Sequence, residues 1–180
     1  CNDVVKDSKG NVCISNLTLN IGSSPLKIHL VNLETGALTE VASLTKSGLS
    51  NTRVDHVAIT GDVVEGNFTV FAAVSRSNTI VRWTFENGEE IASTTSTLMS
   101  FYPSTASNLG IAPFVIPITN DDIFVVGGDI HMTRYNFTTG KVIITSLNEE
   151  LTGTVTAAYY DVDLTQITAE TIIGGITTEG

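Results

Sequence analysis

Three glycines constrain this chain more than any other feature. Gly36, Gly88 and Gly140 stand 52 residues apart, the first from the second and the second from the third. Each belongs to a similar phrase: NLETGAL at 32–38, TFENGEE at 84–90 and NFTTGKV at 136–142. Upstream of the glycines lie KIHLVNLETG, TIVRWTFENG and HMTRYNFTTG, in which Ile28, Ile80 and Met132 align, as do Val31, Trp83 and Tyr135, and Leu33, Phe85 and Phe137. A glycine able to take positive φ, between two strand-like runs, signals a β-hairpin. The returning strands are ALTEVASL, EEIASTTSTL and KVIITSL.

A further strand precedes each hairpin, in CISNLTLNI, NFTVFAAVS and DDIFVVGG, and VDHVAIT and GIAPFVIPIT precede the last two of these. The period therefore holds four short antiparallel strands, the middle ones apolar on both faces. A self-similar unit of that kind reads as a blade of a β-propeller, whose sheets stack face to face. The fold class expected is all-β, with propeller-like repeats over 11–180, in units near 11–52, 53–104, 105–156 and a partial 157–180. A ring needs four to eight blades, and a chain of 180 residues holds about three and a half at this period. An incomplete propeller is the expectation, with an open sheet, a sandwich or pairing with a second copy as alternatives.

Hydrophobic residues make up 42% and charged residues 16% of the chain, a composition that folds. The formal net charge of -10, with only nine Lys and Arg, argues against nucleic acid, which needs clustered cations. No apolar run approaches the roughly 20 residues of a membrane-spanning helix.

The sequence opens on Cys1 and continues through polar NDVVKDSKGN. Bacterial lipoprotein maturation leaves a cysteine at the mature amino terminus, so Cys1 is a candidate lipidation site, with residues 1–10 as a flexible tether. A chain boundary unrelated to processing, or a Cys1 to Cys13 disulfide, is the alternative. Cys13 lies in an apolar alternation, where a buried thiol is inert.

No motif names a reaction. His29, His56 and His131 show no metal-ligand spacing. His29 and His131 sit on hairpin strands, as surface or strand-end residues. His56 follows Asp55 at the entrance to an innermost strand, where it can face a central channel, so Asp55 and His56 are candidate ligand-binding residues. Asp121, Asp122, Asp129, Asp161 and Asp163 would serve a glycosidase only if two of them faced one another across a sugar. Asn120, Asp121 and Asp122 read more simply as a turn, and a calcium loop lacks its ligand density. Gly127 and Gly128 precede no helix that could cradle a phosphate. No metal or cofactor is expected.

Trp83 and Tyr135 recur at one repeat position, which favours packing between units. Phe101 and Tyr102, in SFYPS at 100–104, lie outside the repeated strands and are candidate ligand contacts. Tyr159 and Tyr160 are weaker candidates. Asn16, Asn67 and Asn136 open Asn-x-Thr triplets, which read as glycan acceptors or as turn asparagines.

Across GNFTVFAAVSRSNTIVRWTFENGEEI and DIFVVGGDIHMTRYNFTTGKV, within about residues 50–147, the chain resembles Bacteroidetes surface lipoproteins of unknown function that carry propeller-like repeats. Such proteins often accompany a SusC and SusD type transporter and substrate-binding pair. The resemblance implies lipidation at Cys1, placement at the outer-membrane surface, a SusC/SusD type partner, and a glycan or peptide ligand. The function expected is a non-enzymatic accessory or binding protein of nutrient uptake. An exported polysaccharide hydrolase or lyase on a propeller is the alternative, and a purely adhesive module a third.

Overall fold

The computed structural model describes residues 2–49, 52–75, 79–95, 114–126, 131–140 and 142–146. They form twelve strands in three four-stranded antiparallel sheets. The first sheet runs β1 (Asn2–Lys6), β2 (Val12–Asn16), β3 (Leu26–Val31) and β4 (Leu38–Leu44). The second runs β5 (Arg53–Asp62), β6 (Asn67–Ser75), β7 (Thr79–Glu86) and β8 (Glu89–Thr95). The third runs β9 (Phe114–Pro117), β10 (Asp122–Val126), β11 (His131–Asn136) and β12 (Val142–Ser146). Strand order follows chain order in each, so the fold is one meander repeated, and it is all-β among the described residues.

The alternation of side chains explains how the sheets stack. Along β6, Phe68, Val70, Ala72 and Val74 join one core with Cys13, Leu26, Ile28 and Leu44 of the first sheet. The intervening Phe71 and Ala73 join a second core with Val115, Ile123, Val125 and Tyr135 of the third sheet. Successive residues of a strand point to opposite faces, so an uninterrupted apolar run is stable only in a sheet covered on both sides. The second sheet is such a layer. Burying one large apolar side chain contributes roughly 1.5–3 kcal/mol, and Phe71, Val70, Trp83 and Ile80 are all buried in that sheet.

The aligned repeat residues face consistent directions. Trp83 packs back onto the first sheet, its indole N–H donating to the Thr45 carbonyl at 3.3 Å, and Tyr135 packs back onto the second. Ile28 and Ile80 each pack forward onto the next sheet. Phe85 stacks on Phe68 with ring centroids 4.4 Å apart, and Phe137 meets Tyr135 edge-on at 4.9 Å. Val31 is half-buried and Leu33 is 75% exposed at the corresponding positions of the first sheet, where no described sheet precedes it.

The three recurring glycines all take positive φ, at 73, 81 and 66°. The turns nonetheless differ. Asn32 Oδ1 accepts from the Glu34 and Thr35 amides, and Asn136 Oδ1 accepts from those of Thr138 and Thr139, so two hairpins carry the same asparagine-nucleated loop. The middle hairpin turns through Asn87 and Gly88 alone, with φ of 50 and 81°, as an Asn-Gly type I′ turn does. Asn16 donates to the Pro25 carbonyl and Asn67 accepts from the Asn87 amide, so all three Asn-x-Thr asparagines bond to loop or turn backbone.

One expectation is corrected. Residues 2–6, read as part of a flexible tether, form β1 and pair with β2 from Asn2 opposite Asn16 to Lys6 opposite Val12. The first unit therefore begins at β1, nine residues or so ahead of its expected start at 11. Its polarity misleads because β1 is a sheet edge, where core-facing apolar residues are few.

Candidate functional site

The first strands of the three sheets lie side by side, β1 against β5 and β5 against β9. Between them runs a groove of about 440 Å³ lined by residues 4–8, 56–60 and 115–118. Each of these strands is the edge of its sheet, and an unpaired edge leaves amides to be satisfied from elsewhere. Here they are capped by side chains of the neighbouring sheet. Asp3 Oδ2 accepts from the Val57 amide at 3.3 Å, Asp7 Oδ2 from the Val63 amide at 2.9 Å, and His56 Nδ1 from the Val115 amide at 3.1 Å. Backbone contact adds to these, since the Ser8 amide donates to the Gly61 carbonyl and the Gly61 amide to Ser8 Oγ.

His56, near the start of β5, is among the residues that line the groove. Burial holds its pKa below the ordinary 6.5, against the opposing pull of Asp3, so the ring is neutral near pH 7. An Nδ1 that accepts a hydrogen bond places the proton on Nε2.

Asp55 is set differently. The pairing of β5 with β6 slips between Val54 and His56, leaving Asp55 at a bulge, and Asp55 is not among the residues lining the groove. Its side chain is 6% exposed and ion-paired with Arg53, while Oδ2 is buried with no hydrogen-bond partner among the described residues. Phe101, Tyr102 and Cys1 lie outside the described residues, as do Asp129, Tyr159, Tyr160, Asp161 and Asp163.

Asp7, Asp3 and Lys6 belong to this site and were hidden in the segment read as a tether. Asp7 accepts from the Lys9 and Asn11 amides through Oδ1, and from Asn11 Nδ2 and the Val63 amide through Oδ2. Burial acts to raise its pKa, but the hydrogen bonds from Val63, Asn11 and Lys9 outweigh it and hold the carboxyl below its ordinary value. The signal was present: Asp7 to Asn11 reads Asp-Ser-Lys-Gly-Asn, a turn composition, and Gly10 takes a φ of 87°. Turn chemistry between two short runs argues for a hairpin, and here it makes one.

The other carboxylates singled out are structural. Asp121 pairs with Arg82, and Asp122 pairs with Arg134, which reaches it through both Nε and Nη2. Thr119 Oγ1 accepts from the amides of Asp121 and Asp122, so residues 118–121 form the turn that leads into β10. His29 is half-exposed beside Glu40, at 3.7 Å. Cys13 is a buried free thiol whose pKa burial, then Asp7, pushes up to about 11, which leaves it unreactive. Among the described residues, no group of three His, Cys, Asp or Glu is placed to hold a metal.

The groove thus offers an ammonium at Lys6, hydroxyls at Ser8 and Thr60, a neutral imidazole, and apolar surface at Val4 and Pro117. Such a surface can bind through hydrogen bonds and apolar contact. No protein-family model matches the chain, and no curated protein matches it either.

Proposed function

We propose that the three sheets are consecutive blades of a β-propeller, and that the protein is a non-enzymatic binding module whose ligand lies in the groove along their first strands. The observation that carries this reading is that β1, β5 and β9, equivalent strands of three repeated units, together line one groove. Propellers commonly present a central channel lined by their innermost strands. The exposed Leu33 and half-buried Val31 support a ring with a further sheet, because Trp83 with Phe85, and Tyr135 with Phe137, are covered at the same positions.

Binding is favoured over hydrolysis by the state of Asp7. It is the carboxylate among the lining residues, and both its oxygens are engaged by backbone and amide donors. A general acid or base needs a carboxyl able to exchange a proton with substrate. The ligand class is a short glycan or peptide. A place at the outer-membrane surface, anchored through Cys1 and serving a SusC/SusD type importer, rests on the resemblance carried by residues 50–147.

The test is a ligand screen with soluble oligosaccharides and oligopeptides, read by calorimetry on the whole protein and on Val4→Trp and Lys6→Glu, two exposed changes in the groove wall. Binding that both changes weaken, with the ligand recovered intact, is the expected result. Cleavage of a bound oligosaccharide would replace this reading with the hydrolase. Binding indifferent to both substitutions would remove the ligand from the groove. Intact mass of native protein extracted from membrane tests the anchor: a mass heavier by acyl chains on Cys1 supports it, and an unmodified cysteine ends it.

A further inference from the structure

A second, smaller cavity lies between the second and third sheets, at the end of the second sheet marked by the 87–88 turn. Its volume is about 310 Å³, and its lining includes Asn67, Thr69, Thr84, Glu86, Asn87 and Asn120. Strand pairing explains its floor. Thr60 of β5 lies opposite Thr69 of β6, and Thr69 lies opposite Thr84 of β7, so three threonines form one row across adjacent strands. They share the face that carries Phe71 toward the third sheet. The opposite face at this level holds the stacked Phe68 and Phe85.

Two observations separate this row from an ordinary polar patch. Thr69 is only 1% exposed, yet its hydroxyl has no hydrogen-bond partner among the described residues, which is uncommon for a buried polar group. The neighbouring amides are also held in place. Thr60 Oγ1 donates to Asn120 Oδ1 at 2.6 Å, and Asn67 Oδ1 accepts from the Asn87 amide at 3.0 Å. Both asparagines are fixed through their oxygens, which directs the role of their Nδ2 groups toward donation. Arg82 holds the 118–121 turn against β7 by donating to the Asn120 carbonyl at 2.8 Å.

We infer that this cavity is a binding site for one neutral polyhydroxylated ring, a sugar unit or a cyclic polyol, distinct from the groove. The site offers donors at Asn67 and Asn120, an acceptor at Glu86, and hydroxyls that serve as either. Matching that mixture takes a ligand whose groups both donate and accept, which describes vicinal hydroxyls. A phosphate or carboxylate ligand would meet the Glu86 carboxylate on a chain of net charge -10. An apolar ligand would strip water from the hydroxyls and amides without replacing it. The volume lies at the low end of ligand pockets, roughly 300–1,000 Å³, which suits a single ring.

The test titrates D-glucose, D-galactose, D-mannose and myo-inositol into the whole protein at millimolar concentration, following backbone amide shifts. Saturable shifts at Thr69, Thr84 and Asn87 are expected with at least one probe, and the sugars against inositol distinguish the two sources of the ring. Thr69→Val, nearly isosteric, should weaken that binding by roughly tenfold, the loss of about one hydrogen bond to a buried group, while Thr69→Ser should keep it. Val4→Trp, in the groove, should leave it unchanged, so failure here and failure of the groove reading are told apart. The inference is overturned if no probe gives saturable shifts, or if Thr69→Val binds as tightly as the parent with its fold intact by thermal melting.

Discussion

The backbone amide of Val115 donates to Nδ1 of His56 at 3.1 Å, so an imidazole on the first strand of one sheet completes the edge of the next. That bond exists only while Nδ1 is unprotonated. Because burial depresses the His56 pKa in the folded protein, the folded state takes up its proton at a lower pH than the unfolded chain does. The stability this contributes is complete above 6.5, the ordinary value, and is lost as pH falls from there toward the depressed folded value. Unfolding by urea between pH 7.5 and 5 should therefore show falling stability, Asp3 moderating the loss. His56→Asn, whose Oδ1 can take the place of Nδ1, should flatten the slope across that window. An equal slope in the variant would assign the titration elsewhere.

Asp7 answers to a different range. Its pKa is depressed, so its contribution is present above 3.8, the ordinary value, and is withdrawn as pH falls below that. Asp7→Asn removes the charge and turns one acceptor into a donor facing N–H groups. Hydrogen bonds to a charged group are worth about 1.5–3 kcal/mol, and unpaired buried amides add to the loss, so destabilisation of about 2–4 kcal/mol is expected by chemical denaturation. A change under about 0.5 kcal/mol would mean that the turn does not depend on this carboxylate.

The repeat was legible in the sequence, and the direction in which its residues face was legible only in part. The glycine interval located the hairpins because positive φ is a backbone demand that few residues other than Gly meet. Alignment of Trp83 with Tyr135 identified packing positions, since aromatic side chains kept at one repeat position pack alike, and both are buried against the preceding sheet. Strand β1 was missed for a physical reason. Val4 is 67% exposed, and the other residues of β1 are polar or half-buried, so no apolar alternation announces an edge strand whose outer face borders a groove. Arg82 and Thr69 gave no signal either, because their roles arise from register between strands distant in sequence.

Gly66 supports the turn that closes the second cavity. It takes a φ of 76°, and a Cβ there would lie 2.3 Å from the Gly88 amide nitrogen, a backbone atom that cannot step aside. The Gly88 amide also donates to the Gly66 carbonyl at 3.0 Å, tying the two turns together. Gly66→Ala should destabilise the protein by roughly 1–3 kcal/mol and shift the Asn87 and Gly88 amide resonances. Gly88→Ala meets no atom within 4 Å, so its effect should come from the positive φ alone and be smaller. Equal effects would contradict the contact.

Arg82 joins the second sheet to the third. It donates through Nε to Thr94 Oγ1 at 3.0 Å, pairs with Asp121, and lies 4.6 Å over the Phe137 ring. Asp121 is largely exposed, so the ion pair itself contributes little. The ring contact and the bond to Asn120 are the larger part. Arg82→Met should therefore cost about 1–2 kcal/mol, whereas Asp121→Asn should cost under about 0.5 kcal/mol. The reverse order would show that the ion pair, not the stacking, holds the sheets.

Side-chain contacts by nuclear Overhauser spectroscopy decide whether the sheets stack as layers of one repeated unit. The Trp83 indole should show cross-peaks to Thr45 and Leu44 of the first sheet, and Ile80 and Phe71 should show them to Tyr135 and Phe137 of the third. Trp83 and Ile80 contacting the same neighbouring sheet, or Trp83 showing none beyond its own, would contradict the arrangement and remove the groove that depends on it.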